Sequence, residues 1–344
     1  MPEGSGGLES EAGAPPAGGH AGPSGSPPVN RGSGGLESEA GGQAPVSRLT
    51  CSVVSRSLGE PLLATASRVR AWVLVEQPGP WGREPLMDSR LDPAVARALH
   101  ERSRATHVRV VLIRRPGRAT PGPRRAFLAH TGRRARWLEE LRLDDPAALL
   151  GLDWTRMGEE TAPGYGARVA RPVYLACTNG RHDQCCATAG RPLAEALGGA
   201  VGERAWECSH IGGDRFAGNL VCLPEGVYYG RLSPAAAPGV VALHERGRLD
   251  LDHYRGRCCY PPVVQAAEHF LRRERDLTGL DAVAAESRQT GPDGVAAVRF
   301  ATRTGDRWLV RLRVAHPDPE RLLTCQSTRP HRPPVYRLLD LTRL

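Results

Sequence analysis

RPVYLACTNGRHDQCCATAGRPLAEALGGAVGERAWECSH, Arg171 to His210, is the stretch on which the fold turns. Its ends, RPVYLAC (171–177) and RAWECSH (204–210), have strand character, and GRPLAEALGG (190–199) reads as a short helix with proline near its first turn. A strand, a helix and a second strand in this order become parallel neighbours, because a right-handed crossover returns the chain to the same sheet. The carboxyl ends of both strands then share one sheet edge, and the loops TNGRHDQCC and IGGDRFAG face each other across it. Cys177 and Cys185 or Cys186 are thereby brought beside Cys208, His210 or Asp214.

Working outward, NLVCLPEGVYYGRL (219–232) reads as a hairpin turning at Pro224 to Gly226, and SPAAAPGVVALHERG as a closing helix. Strand, helix, strand, hairpin, helix is the order of a thioredoxin-like domain, expected over 166–278. The stretch 47–165 precedes it as a mixed α/β domain without an evident catalytic constellation. There RVRAWVLVEQP (68–78) and HVRVVLIRR (107–115) are strands, RRAFLAHT and RWLEELRL are shorter ones, and Asp92 and Pro93 start a helix over AVARALHERSR. PPVVQAAEHFLRRE reads as an amphipathic helix starting after a proline pair, with Cys258 and Cys259 placed at its beginning. Residues 279–344 form a small β appendage, with two alternating strands around Thr304, Gly305 and Asp306. The expected class is α/β (α+β). Residues 1–46 repeat GSGGLESEAG at 4–13 and 32–41 and hold almost no large apolar side chains, so they read as a disordered leader.

Hydrophobic residues make up 40% and charged residues 24% of the 344, ordinary for a soluble protein. No apolar run reaches the ~18 residues of a membrane span, and MPEGSGG lacks the features of a signal peptide, so no membrane association and a cytoplasmic location are expected. The net charge of +9 raises the question of nucleic acid, yet all 46 basic residues are Arg, which points to compositional bias. Aromatics are 5% and do not alternate with basic residues as in single-strand binders, so no nucleic acid is expected. The densest basic segment, RRPGRATPGPRRAFLAHTGRRARW, reads as a solvated face; docking of an acidic redox partner is the alternative.

Nine cysteines are too few for a disulfide scaffold, and the number is odd. Seven lie between Cys177 and Cys259, with Cys51 and Cys325 far outside. Structural zinc draws on close thiolate pairs, whereas eight residues separate Cys177 from Cys186, a spacing for a loop that wraps something larger than one ion. Iron-sulfur clusters take thiolates and accept His on one iron. Gly212 and Gly213 would let the backbone approach such a cluster and turn its amides toward sulfide.

In CTNGRHDQCCATAGRPLAEAL, WECSHIGGDRFAGNLVCLPEGVYYGRL and YRGRCCYPPVVQAAE, with EQPGPWG in the first domain, the chain resembles the sucrase/ferredoxin-like family over most of 50–275. The resemblance implies a thioredoxin-like [2Fe-2S] ferredoxin domain whose ligands are two cysteines of the first loop and two histidines of an H-x3-H motif. Cys177 and Cys186 match the cysteines and His210 the first histidine; the second position is Asp214. The fourth ligand is left open among Cys208, Asp214, Cys259 and Cys222. Cys208 is preferred to Asp214, because strand alternation puts it on the face of His210 and sulfur suits iron better than oxygen. The bland readings are a packed core thiol for Cys222, core or ligand support for Cys258 and Cys259, and turn caps for His182 and Asp183.

The implied function is electron transfer with an unidentified reductase or acceptor, not bond cleavage. The alternatives are a thiol-redox protein, for which no C-x2-C opens a helix, and a structural zinc module. Sucrose hydrolysis, which the family name evokes, needs two flanking carboxylates, and nothing in the sequence isolates such a pair.

Overall fold

The structure, a computed structural model, describes residues 49–117 and 122–344; the leader expected at 1–46 lies outside the described residues. In the first half, helix α1 (Cys51–Ser57) leads to strand β1 (Ala71–Glu76), and a one-turn helix α2 (Pro85–Asp88) precedes α3 (Pro93–Thr106). Helix α3 starts where the sequence places it: Asp92 Oδ1 accepts from Ala94 N at 2.8 Å and Val95 N at 3.1 Å, and Pro93 occupies the first turn. Strands β2 (Val108–Arg114), β3 (Arg124–Thr131), β4 (Arg136–Leu143) and the two-residue β5 (Ala167–Arg168) follow.

The second half repeats this plan. Strand β6 (Val173–Cys177), every residue of it buried, leads into helix α4 (Gln184–Val201) and then β7 (Ala205–Cys208). Helix α4 begins at Gln184 and not near Gly190, which takes Cys185 and Cys186 out of the expected loop and into its first turn. Asp183 is the cap, its Oδ1 accepting from Cys185 N at 2.9 Å. Gly190 and Pro192 read as breakers but lie inside the helix. Gly190 is needed there, since any Cβ would strike the Cys177 carbonyl and push α4 off the end of β6. Strands β8 (Leu220–Leu223) and β9 (Val227–Tyr229) form the expected hairpin, and α5 (Ala237–Glu245) and β10 (Tyr254–Arg257) complete the half.

All ten strands belong to one sheet in the order β10, β9, β8, β6, β7, β2, β1, β3, β4, β5. Substituting each strand of the second half by its counterpart in the first turns this into a palindrome. Each half has a parallel pair joined by a helical crossover (β1 with β2, β6 with β7) and three further strands added antiparallel, the first two of which complete the thioredoxin-like arrangement. The halves meet where β2 and β7 pair antiparallel through Ile113 with Cys208 and Arg114 with Glu207. Residues 47–165 and 166–278 thus contribute to a single sheet. One face of it is a shared core in which Trp72, Leu74 and Ile113 pack with Leu175, Cys177, Trp206 and Cys208. The other face is covered by α3 in the first half and by α4 and α5 in the second.

Cys258 and Cys259 lie in the turn after β10, and α6 (Pro262–Glu274) starts at the second proline of the pair, with the extended Pro261 as its cap. The appendage has twice the strands foreseen: β11 (Val283–Thr290), β12 (Val295–Thr302), β13 (Arg307–Ala315) and β14 (Val335–Arg343) form an antiparallel sheet packed on α6. The molecule is α+β. No helix among the described residues is long and apolar enough to cross a membrane.

Candidate metal centre

Strands β6 and β7 pair parallel with Cys177 opposite Cys208, which sets the two loops side by side at the carboxyl edge of the sheet. The Cys177 and Cys186 sulfurs and a His210 ring nitrogen all lie within 4.8 Å of one another, and both cysteines are buried. Asp214, on a short 3-10 turn, joins from below: its Oδ1 is 3.1 Å from Cys186 Sγ and 2.9 Å from His210 Nδ1. The approach to His210 is not aligned as a hydrogen bond. His210 Nδ1 is therefore buried without a partner, as is the other carboxylate oxygen, Asp214 Oδ2, a costly condition that a metal ion would relieve. His182 closes the outer side, its ring stacked on that of His210 with centroids 3.8 Å apart and its Nε2 3.9 Å from Asp214 Oδ2.

The proton inventory is that of a ligand set. Hydrogen bonds from the Cys186 and Cys208 thiols hold Cys177 well below the usual thiol range, against its burial. Cys186 is pushed up by donating to Cys177 and by burial, and Cys208 chiefly by burial. Burial works to lower His210, but Asp214 and Cys177 beside it raise it to about 9. The shifts favour charge on Cys177 and on His210 and disfavour it on Cys186, and metal binding would displace protons from the group.

The remaining candidates separate. Cys208 neighbours Cys177 across the sheet but does not join the group formed with Cys186 and His210. Cys222 lies in the core on the opposite sheet face, Cys258 donates to Thr131 Oγ1 at 3.2 Å, and Cys259 packs against α6. Gly212 and Gly213 have φ of 95° and 84°, and the room a side chain would take there is filled by Ser67 and Arg255.

Arg255 is the residue that the sequence did not single out. Fully buried, its guanidinium donates to Thr65 Oγ1, Gly212 O and Asn219 Oδ1 at 3.0, 3.1 and 2.8 Å, and no carboxylate among the described residues pairs with it. Burial lowers it to about 10, while Tyr228, Asp214 and Cys177 favour its charge. A buried cation of this kind fits beneath an anionic ligand group. The first half supplies the cradle of the ligand loop: Ser67 Oγ donates to Ile211 O at 2.8 Å, Arg109 Nη2 to His210 O at 2.9 Å, and Leu112 N to Ser209 Oγ at 3.0 Å. His182 and His210 also border a cleft of about 180 Å³ with Glu84, His100 and Arg109.

Fold and site together define a double thioredoxin-like protein with a buried thiolate, imidazole and carboxylate group able to hold a metal. The chain belongs to the sucrase/ferredoxin-like family, whose family model matches residues 62–256. Searches of curated proteins and of solved structures returned no match. The matched span contains every residue of the ligand group and ends at Gly256, just past Arg255.

Proposed function

We propose that the protein is a one-electron carrier with a [2Fe-2S] cluster held by Cys177, Cys186, His210 and Asp214. The observation that carries this reading is the convergence of two buried cysteine sulfurs and a histidine nitrogen within 4.8 Å, next to a carboxylate oxygen without a partner. Two thiolates, an imidazole and a carboxylate suit iron, with the thiolates as the softer pair. Asp214 replaces Cys208 as the preferred fourth ligand, because its Oδ1 approaches both Cys186 and His210. Bound there, the cluster would supply reversible one-electron chemistry. Arg255 offsets the negative charge of the ligands, and the cradle from Ser67 and Arg109 keeps the His210 loop fixed between oxidation states. The half-exposed edges of His182 and His210 at the cleft are where a reductase or acceptor would approach.

Iron, acid-labile sulfide and the EPR spectrum of the reduced protein test this after anaerobic purification. About two irons and two sulfides per chain are expected. His210→Cys should keep the cluster and lower its potential, as all-thiolate ligation does relative to imidazole. Protein without sulfide, carrying zinc that is lost with Cys177→Ser, would sink the reading.

A further inference from the structure

We propose that Cys51, Cys185, Cys325 and Asp183 form a second metal site, a tetrahedral structural site for Zn2+. It is separate from the Cys177, Cys186 and His210 group and does not rest on the iron-sulfur reading. The three cysteines come from the start of α1, the first turn of α4 and the loop between β13 and β14, and nothing in the sequence connects them.

Their sulfurs and an Asp183 oxygen lie within 4.8 Å of one another. Cys185 Sγ is 3.5 Å from both Cys51 Sγ and Cys325 Sγ, and Cys51 Sγ is 3.6 Å from Asp183 Oδ2. With Zn–S near 2.3 Å and Zn–O near 2.1 Å, a tetrahedron has S–S edges of about 3.8 Å and S–O edges of about 3.6 Å. The sulfurs need to separate by only a few tenths of an ångström to admit the ion.

The surroundings are those of a thiolate site. Cys51 N donates to Cys325 Sγ at 3.3 Å and Gln184 Nε2 points at the same sulfur from 3.9 Å, the outer hydrogen bonds that metal-bound thiolates accept. Asp183 is fully buried, its Oδ1 bonded to Cys185 N and its Oδ2 to Cys325 N at 2.7 Å, and no basic side chain among the described residues pairs with it. A buried carboxylate without a countercharge is costly, and a divalent cation at Oδ2 supplies the missing charge. Beside the site, Glu60 receives Arg215 and Arg321, each at 2.9 Å, which already seats the 321–325 loop against the segment after α1. Cys325 is exposed, so the ion has a way in.

The site would staple three segments more than a hundred residues apart, and through the Cys185–Cys186 peptide it would also fix a ligand of the first centre. Zinc, iron and sulfide measured on the same samples of the full chain test the proposal, using wild type, Cys325→Ser, Cys51→Ser/Cys325→Ser and Cys177→Ser. Wild type and Cys177→Ser should hold about one zinc per chain at this site, and the double variant about none. Cys325→Ser, at the surface, should lose most of the zinc while remaining folded by circular dichroism. Co2+ in place of zinc should give thiolate-to-metal absorption that the double variant lacks. Three findings overturn the site: reduced wild type without zinc, a disulfide among the three cysteines seen as a mass deficit of two hydrogens, or zinc that follows Cys177 in place of Cys51 and Cys325. Iron and sulfide in the same samples report on the first centre separately, so either proposal can fail while the other stands.

Discussion

His269 sits on α6 with its ring stacked on Tyr254 at 6.5 Å and its Nδ1 without a partner. Burial, helped by Arg273, depresses it from 6.5 to about 4. A folded-state value below the unfolded one makes the neutral ring an asset above about pH 6.5 and a liability below, since the unfolded chain takes up the proton first. Stability should fall on the order of 2 kcal/mol between pH 7 and pH 5 through this residue. Urea midpoints for wild type and His269→Leu at both pH values check it, the variant showing the smaller difference. At this scale the grouping of Cys177, Cys186 and His210 was legible and that of Cys51, Cys185 and Cys325 was not. Cys177, Cys186 and His210 belong to one crossover unit, so strand order alone brings them together. Cys51 and Cys325 meet Cys185 only through the docking of the chain's two ends, for which no short-range pattern exists. Asp214 lost to Cys208 in the sequence because alternation describes which face a strand residue takes, not how far a glycine loop folds back.

Among the elements, α6 carries a buried ion pair: Glu268 and Arg272 stand at i and i+4, both fully buried and bonded at 3.0 Å. Glu268 also accepts from Tyr254 OH at 2.8 Å, and Arg272 donates to the carbonyls of Leu277, Gly279 and Leu280. The pair thus fixes the exit from α6 between the large sheet and the small one. Glu268→Ala strands a buried guanidinium and should cost about 3–5 kcal/mol, read from the denaturant midpoint, with Glu268→Gln costing less. Helix α4 differs from its sequence reading at its start. Gly190 and Pro192 carry the composition of a boundary, but Asp183 supplies the stronger start signal and Gly190 is required by the close crossing over Cys177.

For the molecule as a whole, the sequence showed the thioredoxin-like order of the second half, while the repeat of that order in the first half was hidden because the two share no motif. The first half repeats the fold and contributes none of Cys177, Cys186, His210 and Asp214; its Ser67, Arg109 and Leu112 hold the loop that bears His210. The joint between them is short, two residue pairs of β2 and β7, and is reinforced by Glu207. That carboxylate accepts from Arg114 Nε at 2.9 Å and Thr178 Oγ1 at 2.7 Å, while Arg115 lies over the Trp206 ring at 3.7 Å. Glu207→Ala leaves Arg114 without its acceptor across the joint and Thr178 without its acceptor within the second half, and should destabilise the protein by about 1–3 kcal/mol in a denaturant titration.

The palindromic strand order also bears on self-association. An open sheet offers unpaired backbone at its two outermost strands, where other chains can add themselves. Here each half buries its crossover strand, β2 or β7, against the other, so neither of these apolar strands is left as a template. What remains at the rim is β5, two residues long, and β10, four residues with a register shift between Tyr254 and Gly256. Strands so short and irregular make poor seeds for intermolecular pairing, and joining the halves back to back has removed the apolar crossover strands from the rim of the large sheet.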